Sequence, residues 1–110
     1  MSAVESPEWV RVCAVDDIEP EDVTLFSTGE GAYAIYRSED DCYFATDAYC
    51  THERALLCDG LVMDGVIECP RHNGRFDFRT GRALGAPALV DLRTHPVAVE
   101  DGFVYLRAGD

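Results

Sequence analysis

Cys50-Thr51-His52, then sixteen residues, then Cys69-Pro70-Arg71-His72: the rest of the chain arranges itself around these two short segments. Each segment offers one thiolate and one imidazole. A mononuclear zinc finger usually pairs Cys with Cys and His with His, with two or more residues inside each pair. Here both pairs are mixed, and the first holds a single residue between its donors. Such pairs suit a two-iron cluster in which one iron takes both cysteines and the other both histidines. A structural zinc site on the same four side chains is the strongest rival.

Moving outward, short apolar runs recur at close spacing. Strands are expected over residues 9–15, 23–26, 32–36, 42–45, 61–63, 66–69, 75–78, 97–99 and 103–106. Turn residues separate them, notably Gly29 to Gly31, Ser38 to Asp41, Thr80-Gly81 and two Asp-Gly pairs, Asp64-Gly65 and Asp101-Gly102. Asp-Gly between apolar runs is a strong hairpin signal. No segment carries a long 3.6-residue apolar period with caps. Helical turns are expected only at residues 18–22 and 52–57. The chain therefore reads as all-β, an antiparallel sandwich or small barrel. Both motif segments fall on loops beside strands. Pro70 stiffens the second loop, and Gly74 lets backbone approach a cluster closely.

The 110 residues are expected to form one domain, 1–110, with the cluster-binding part at about 46–88. No apolar run reaches membrane-span length, and the first residues lack the basic and apolar segments of an export signal, which predicts a cytoplasmic protein. Of five cysteines, Cys13, Cys42 and Cys58 lie outside the motif. Their odd number predicts core or half-buried thiols rather than a disulfide framework. The net charge of −12 argues against nucleic acid or an anionic membrane as partner, and is compatible with steering toward a basic patch on another protein. His95, before Pro96, reads as an ordinary edge-strand residue, and Trp9 as packed in the first strand. Gly29-Glu30-Gly31 lacks the third glycine of a dinucleotide fingerprint, Ala34 standing in its place. A mononuclear iron of the oxygenase kind needs two further histidines, and only His95 remains, so catalysis by the chain alone is not expected.

Residues 50–88 resemble the Rieske-type ferredoxins, and most of all the small ferredoxins of bacterial aromatic-ring-hydroxylating dioxygenase systems. The matching text is Cys50-Thr51-His52, Gly60, Cys69-Pro70-Arg71-His72-Asn73-Gly74-Arg75-Phe76-Asp77, Thr80-Gly81-Arg82-Ala83-Leu84 and Ala86-Pro87. The resemblance implies a Rieske-like β-fold with a small cluster-binding subdomain of two loops. It implies one Rieske [2Fe-2S] cluster, Cys50 and Cys69 on one iron and His52 and His72 on the other. It implies a monomeric one-electron carrier between a flavin-dependent ferredoxin reductase and a terminal oxygenase. The alternative is a small Rieske-like subunit of a larger reductase such as nitrite reductase. The respiratory members of the group brace the cluster with a disulfide, whose positions correspond here to Ala55 and Arg71, so no brace is expected. Their hydroxyl donors to the cluster correspond to Gly74 and Phe76, which have none to offer. Fewer hydrogen bonds to sulfur and a strongly acidic chain predict a potential nearer roughly −150 mV than +300 mV. The expected contact face is the cluster tip: Arg54, Ala55, Leu56, Arg71, His72 and Pro87.

Overall fold

The computed structural model describes residues 8–29, 31–51, 55–70, 74–85 and 90–107. Its strands are β1 (Trp9–Ala14), β2 (Asp22–Thr28), β3 (Gly31–Arg37), β4 (Tyr43–Asp47), β5 (Leu61–Met63), β6 (Val66–Glu68), β7 (Arg75–Asp77), β8 (Thr94–His95), β9 (Val97–Glu100) and β10 (Phe103–Arg107). They form three antiparallel sheets, in the orders β1-β10-β9, β2-β3-β4-β8 and β5-β6-β7. The all-β expectation holds.

Chain reversals follow turn chemistry. Asp64 and Gly65 have φ of +53° and +80°, and Asp101 and Gly102 have +52° and +82°. Two consecutive residues in the left-handed region make a type I′ turn, whose twist matches that of the paired strands. These turns close the β5–β6 and β9–β10 hairpins.

β3 is the hinge of the packing because it is buried on both faces. Its alternation sends Tyr33 and Ile35 into one core, with Ile18, Ala45, Val104 and Leu106. Ala34 and Tyr36 point into the other, with Leu57, Val62, Ile67, Phe76, Phe78, Cys50 and Cys69 among others. The first core is the interior of the sandwich formed by the β1-β10-β9 and β2-β3-β4-β8 sheets. The second lies under the β5-β6-β7 sheet, where Val62, Ile67 and Phe76 alternate inward. Tyr36 joins the large sheet to this second core. Its ring stacks on Phe78 with centroids 4.7 Å apart. Its hydroxyl lies 2.7 Å from Thr46 Oγ1. The Thr46 proton goes to the Asp47 carbonyl, so Tyr36 is the donor. Burial drives the Tyr36 hydroxyl well above the ordinary tyrosine range, which keeps it protonated.

Four local expectations change. β8 is a two-residue edge strand, too short to show periodicity in the sequence. The first helical turn is a 3-10 turn at Val15–Asp17 rather than residues 18–22, fixed by the Ala14 N–H donating to Asp17 Oδ2 at 3.0 Å. The second is a 3-10 turn at Leu57–Asp59, because Leu56 is held in a bridge with Tyr49; residues 52–54 of that expectation lie outside the described residues. Cys42 is exposed rather than half-buried, since its backbone N–H turns in to Ser38 Oγ at 3.1 Å in the tight loop before β4.

Candidate metal centre

The two motif loops are built alike. In the first, the Cys50 N–H donates to the Ala55 carbonyl at 2.9 Å. In the second, the Cys69 N–H donates to the Gly74 carbonyl at 2.7 Å. Each cysteine thus closes its own loop onto the residue five positions later. Each histidine of the motif falls inside a loop so closed. His52 and His72 lie outside the described residues, as do Arg54, Arg71 and Pro87 of the expected tip. Ala55 and Leu56, the other tip residues, are half-buried.

The loops hang from different sheets. The first runs from the end of β4 toward β5, and the second joins β6 to β7 within the small sheet. Both loops do lie beside strands, as expected. The Leu57 N–H donates to the Ala48 carbonyl at 2.8 Å and holds the first loop against the large sheet. Gly60 then lets the chain return to the small sheet. A Cβ there would stand 2.1 Å from the Glu68 carbonyl oxygen, so no other residue fits without a shift. Gly81 plays the same part beyond β7, with φ +81° and a Cβ position 2.3 Å from the Leu92 carbonyl oxygen.

Cys50 and Cys69 are buried in the second core, 5% and 1% exposed. Gly74 and Phe76 are both buried, and neither side chain carries a hydroxyl to offer the centre. The donor set, two buried thiols here and two imidazoles in the sequence, fits a cluster of mixed ligation. Two thiol sulfurs come from inside, and the loops that carry the histidines are closed at their bases. Cys58 is half-buried. Burial, then the neighbouring Asp59 carboxylate, pushes its thiol up from the ordinary value. Cys13 is pushed up likewise, by burial first and Asp17 second.

Sequence reasoning missed two ties at this end of the molecule. The Thr51 hydroxyl donates to the Val90 carbonyl at 2.6 Å, binding the first loop to the segment before β8. His95 sits on edge strand β8 as expected, yet it is buried, with Nε2 2.7 Å from Asp47 Oδ1 and its ring edge-on to Tyr33. Asp47 ends β4, three residues before Cys50. The His95-Pro96 order hinted at an edge strand, but nothing in a lone His marks its partner 48 residues away.

These features coincide with the Rieske [2Fe-2S] domain, whose family profile matches residues 8–96. The chain belongs to that family, and its cofactor is the Rieske [2Fe-2S] cluster. It is 40% identical, over 99 residues, to the ferredoxin component of the naphthalene 1,2-dioxygenase/salicylate 5-hydroxylase systems of a Ralstonia species, a match covering 90% of this chain and 94% of the relative. Its structure is similar to one in a complex of reduced oxygenase and oxidised ferredoxin in carbazole 1,9a-dioxygenase, with TM-score 0.86, 35% identity and coverage of 93% and 94%. It also superposes, at TM-score 0.82 and 19% identity, on a protein described as the small subunit of an NADH-dependent nitrite reductase from Mycobacterium tuberculosis, covering 93% and 96% of the two chains. That last likeness is one of fold alone. No helix among the described residues is long and apolar enough to cross a membrane.

Proposed function

We propose that this chain is a one-electron carrier that passes electrons from a flavin-dependent, NADH-oxidising ferredoxin reductase to a terminal ring-hydroxylating dioxygenase, and that it catalyses no reaction by itself. The observation that carries the reading is the pair of buried cysteines on two identically closed loops, in a family whose close relatives are ferredoxin components. Cys50 and Cys69 hold one iron, and His52 and His72 hold the other. When bound, the cluster supplies a reversible one-electron couple, and neutral imidazoles on one iron raise its potential above that of a four-cysteine cluster. The protein's own part is to keep the cysteine sulfurs away from water and to hold the loops rigid, so little reorganises as the charge changes.

The chain works as one domain and as a monomer, with the cluster-binding part at about residues 46–88. The thiols at Cys13, Cys42 and Cys58, outside any disulfide, support work in the reducing cytoplasm. With no hydroxyl at Gly74 or Phe76, the potential lies at the low end of the Rieske range, nearer roughly −150 mV. Reconstitution tests the function. NADH, a reductase and an oxygenase of a naphthalene 1,2-dioxygenase system are combined, and cis-dihydrodiol formation is followed with and without this chain. Product that depends on the chain supports the carrier. Product formed equally without it, or none with it, contradicts the carrier.

A further inference from the structure

The outward face of the β5-β6-β7 sheet departs from the usual pattern of an exposed sheet surface. Strand alternation points Val62, Ile67 and Phe76 into the core, so the opposite positions should be polar. Instead Leu61 and Met63 stand on the edge strand 54% and 52% exposed, and Leu84, beside β7, is 48% exposed. Cross-strand pairing sets Met63 against Val66 and Leu61 against Glu68, and the Leu84 N–H donates to the Arg75 carbonyl at 2.9 Å. These side chains line one shallow apolar groove. A second groove shares Leu61 and Glu68 with it and runs on to Cys69 and Pro70. The surface depression therefore continues from the apolar groove, through a mixed polar and apolar stretch, as far as Cys69. Its rim is acidic: Asp59 and Asp64 are exposed, Glu68 lies at its centre, and Arg75 is 3.8 Å from Glu68 and offsets it.

The geometry points to this face as a docking surface for the terminal oxygenase, at a patch of that partner where apolar side chains sit inside a basic rim. The inference rests on the carrier reading and extends its contact area from the cluster tip down the side of the small sheet. Three neighbouring exposed apolar side chains flanked by charge make a small patch of the kind a weak interaction site uses. Weak redox encounters need only a small area of this kind, near the electron's exit. A second copy of the chain is opposed by charge. It would set the same acidic rim against itself, in a protein of net charge −12.

The test is stopped-flow reduction of the purified oxygenase of a naphthalene 1,2-dioxygenase system by the dithionite-reduced holoprotein. Leu61→Glu/Met63→Glu is expected to lower the second-order rate at least tenfold, with the paramagnetic resonance spectrum and midpoint unchanged. Met63→Gln, which keeps the volume and cannot unfold an exposed position, is expected to lower it about threefold. Asp64→Lys is expected to flatten the salt dependence. Rates within twofold of wild type for the first two variants overturn the inference. So does a wild-type dimer in sedimentation that these variants dissolve, since a second copy then covers the face. A wild-type protein that fails to reduce the oxygenase overturns the carrier reading itself, and the docking inference with it.

Discussion

The two cores on either side of β3 are made from the same strand by different rules. The sandwich core, around Ile35, Val104 and Leu106, is mainly hydrocarbon, with Tyr43 and Arg37 donating to the Val15 and Ile18 carbonyls at its margin. The core under the small sheet includes Cys50 and Cys69, depends on close backbone approaches at Gly60 and Gly81, and leaves an apolar outer face uncovered. One region is a closed interior, and the other carries both motif cysteines. The contrast shows where the chain accepts constraint: the scaffold tolerates hydrophobic exchange, while the site tolerates almost no change of backbone position.

That contrast can be broken experimentally. The largest effect is expected for Cys69→Ser, which should abolish the visible absorption and bound iron while leaving the strand signature in far-ultraviolet circular dichroism. Collapse of both together would make the two regions one cooperative unit. Gly60→Ala comes next, because its Cβ meets the Glu68 carbonyl at 2.1 Å. Overpacking of this kind costs about 1–3 kcal/mol, and urea unfolding with iron retention as a second readout should show the cluster lost before the sandwich. Equal midpoints for the variant and wild type would remove the glycine from the argument.

Gly74→Ser with Phe76→Tyr sharpens the comparison from the other side, by adding donors to the site. A hydrogen bond favouring the reduced state by about 1 kcal/mol raises a one-electron midpoint by about 40 mV. Protein-film voltammetry would register that rise, and an unchanged potential would count against missing hydroxyls as the cause of a low value. Tyr36→Phe tests the joint between the regions. The Tyr36 donation to Thr46 is buried, and its loss is expected to cost about 1 kcal/mol in the unfolding free energy.

The smallest effect is in thiol reactivity. Raised values at Cys13 and Cys58 mean less thiolate at any pH below them, so iodoacetamide at pH 8 should label exposed Cys42 first and the other two slowly. Rates for Cys58 and Cys13 should keep climbing beyond pH 9. A plateau below that pH would contradict the upward shift.

Much of this was legible in the residues. The strands at Leu61–Met63 and Phe103–Arg107 announced themselves through apolar runs beside Asp-Gly. The spacing singled out Cys50 and Cys69, and both are buried in the second core. Other features were hidden for physical reasons. β8 is a two-residue strand that exists only because β4 offers it an edge. The His95–Asp47 and Thr51–Val90 ties join residues 48 and 39 positions apart, a separation at which neither partner predicts the other. Leu61-Val62-Met63 is apolar throughout, so its period could not say which face would be left in solvent.

The most direct test is electron paramagnetic resonance with nitrogen hyperfine detection on the purified holoprotein, before and after dithionite reduction, with iron and sulfide assayed on the same sample. The account predicts a silent oxidised state and a rhombic reduced signal of low average g. It also predicts nitrogen couplings from two imidazoles, lost one at a time in His52→Cys and His72→Cys. Zinc in place of iron, or a reduced cluster without nitrogen coupling, would contradict the mixed Cys50, Cys69, His52 and His72 ligand set.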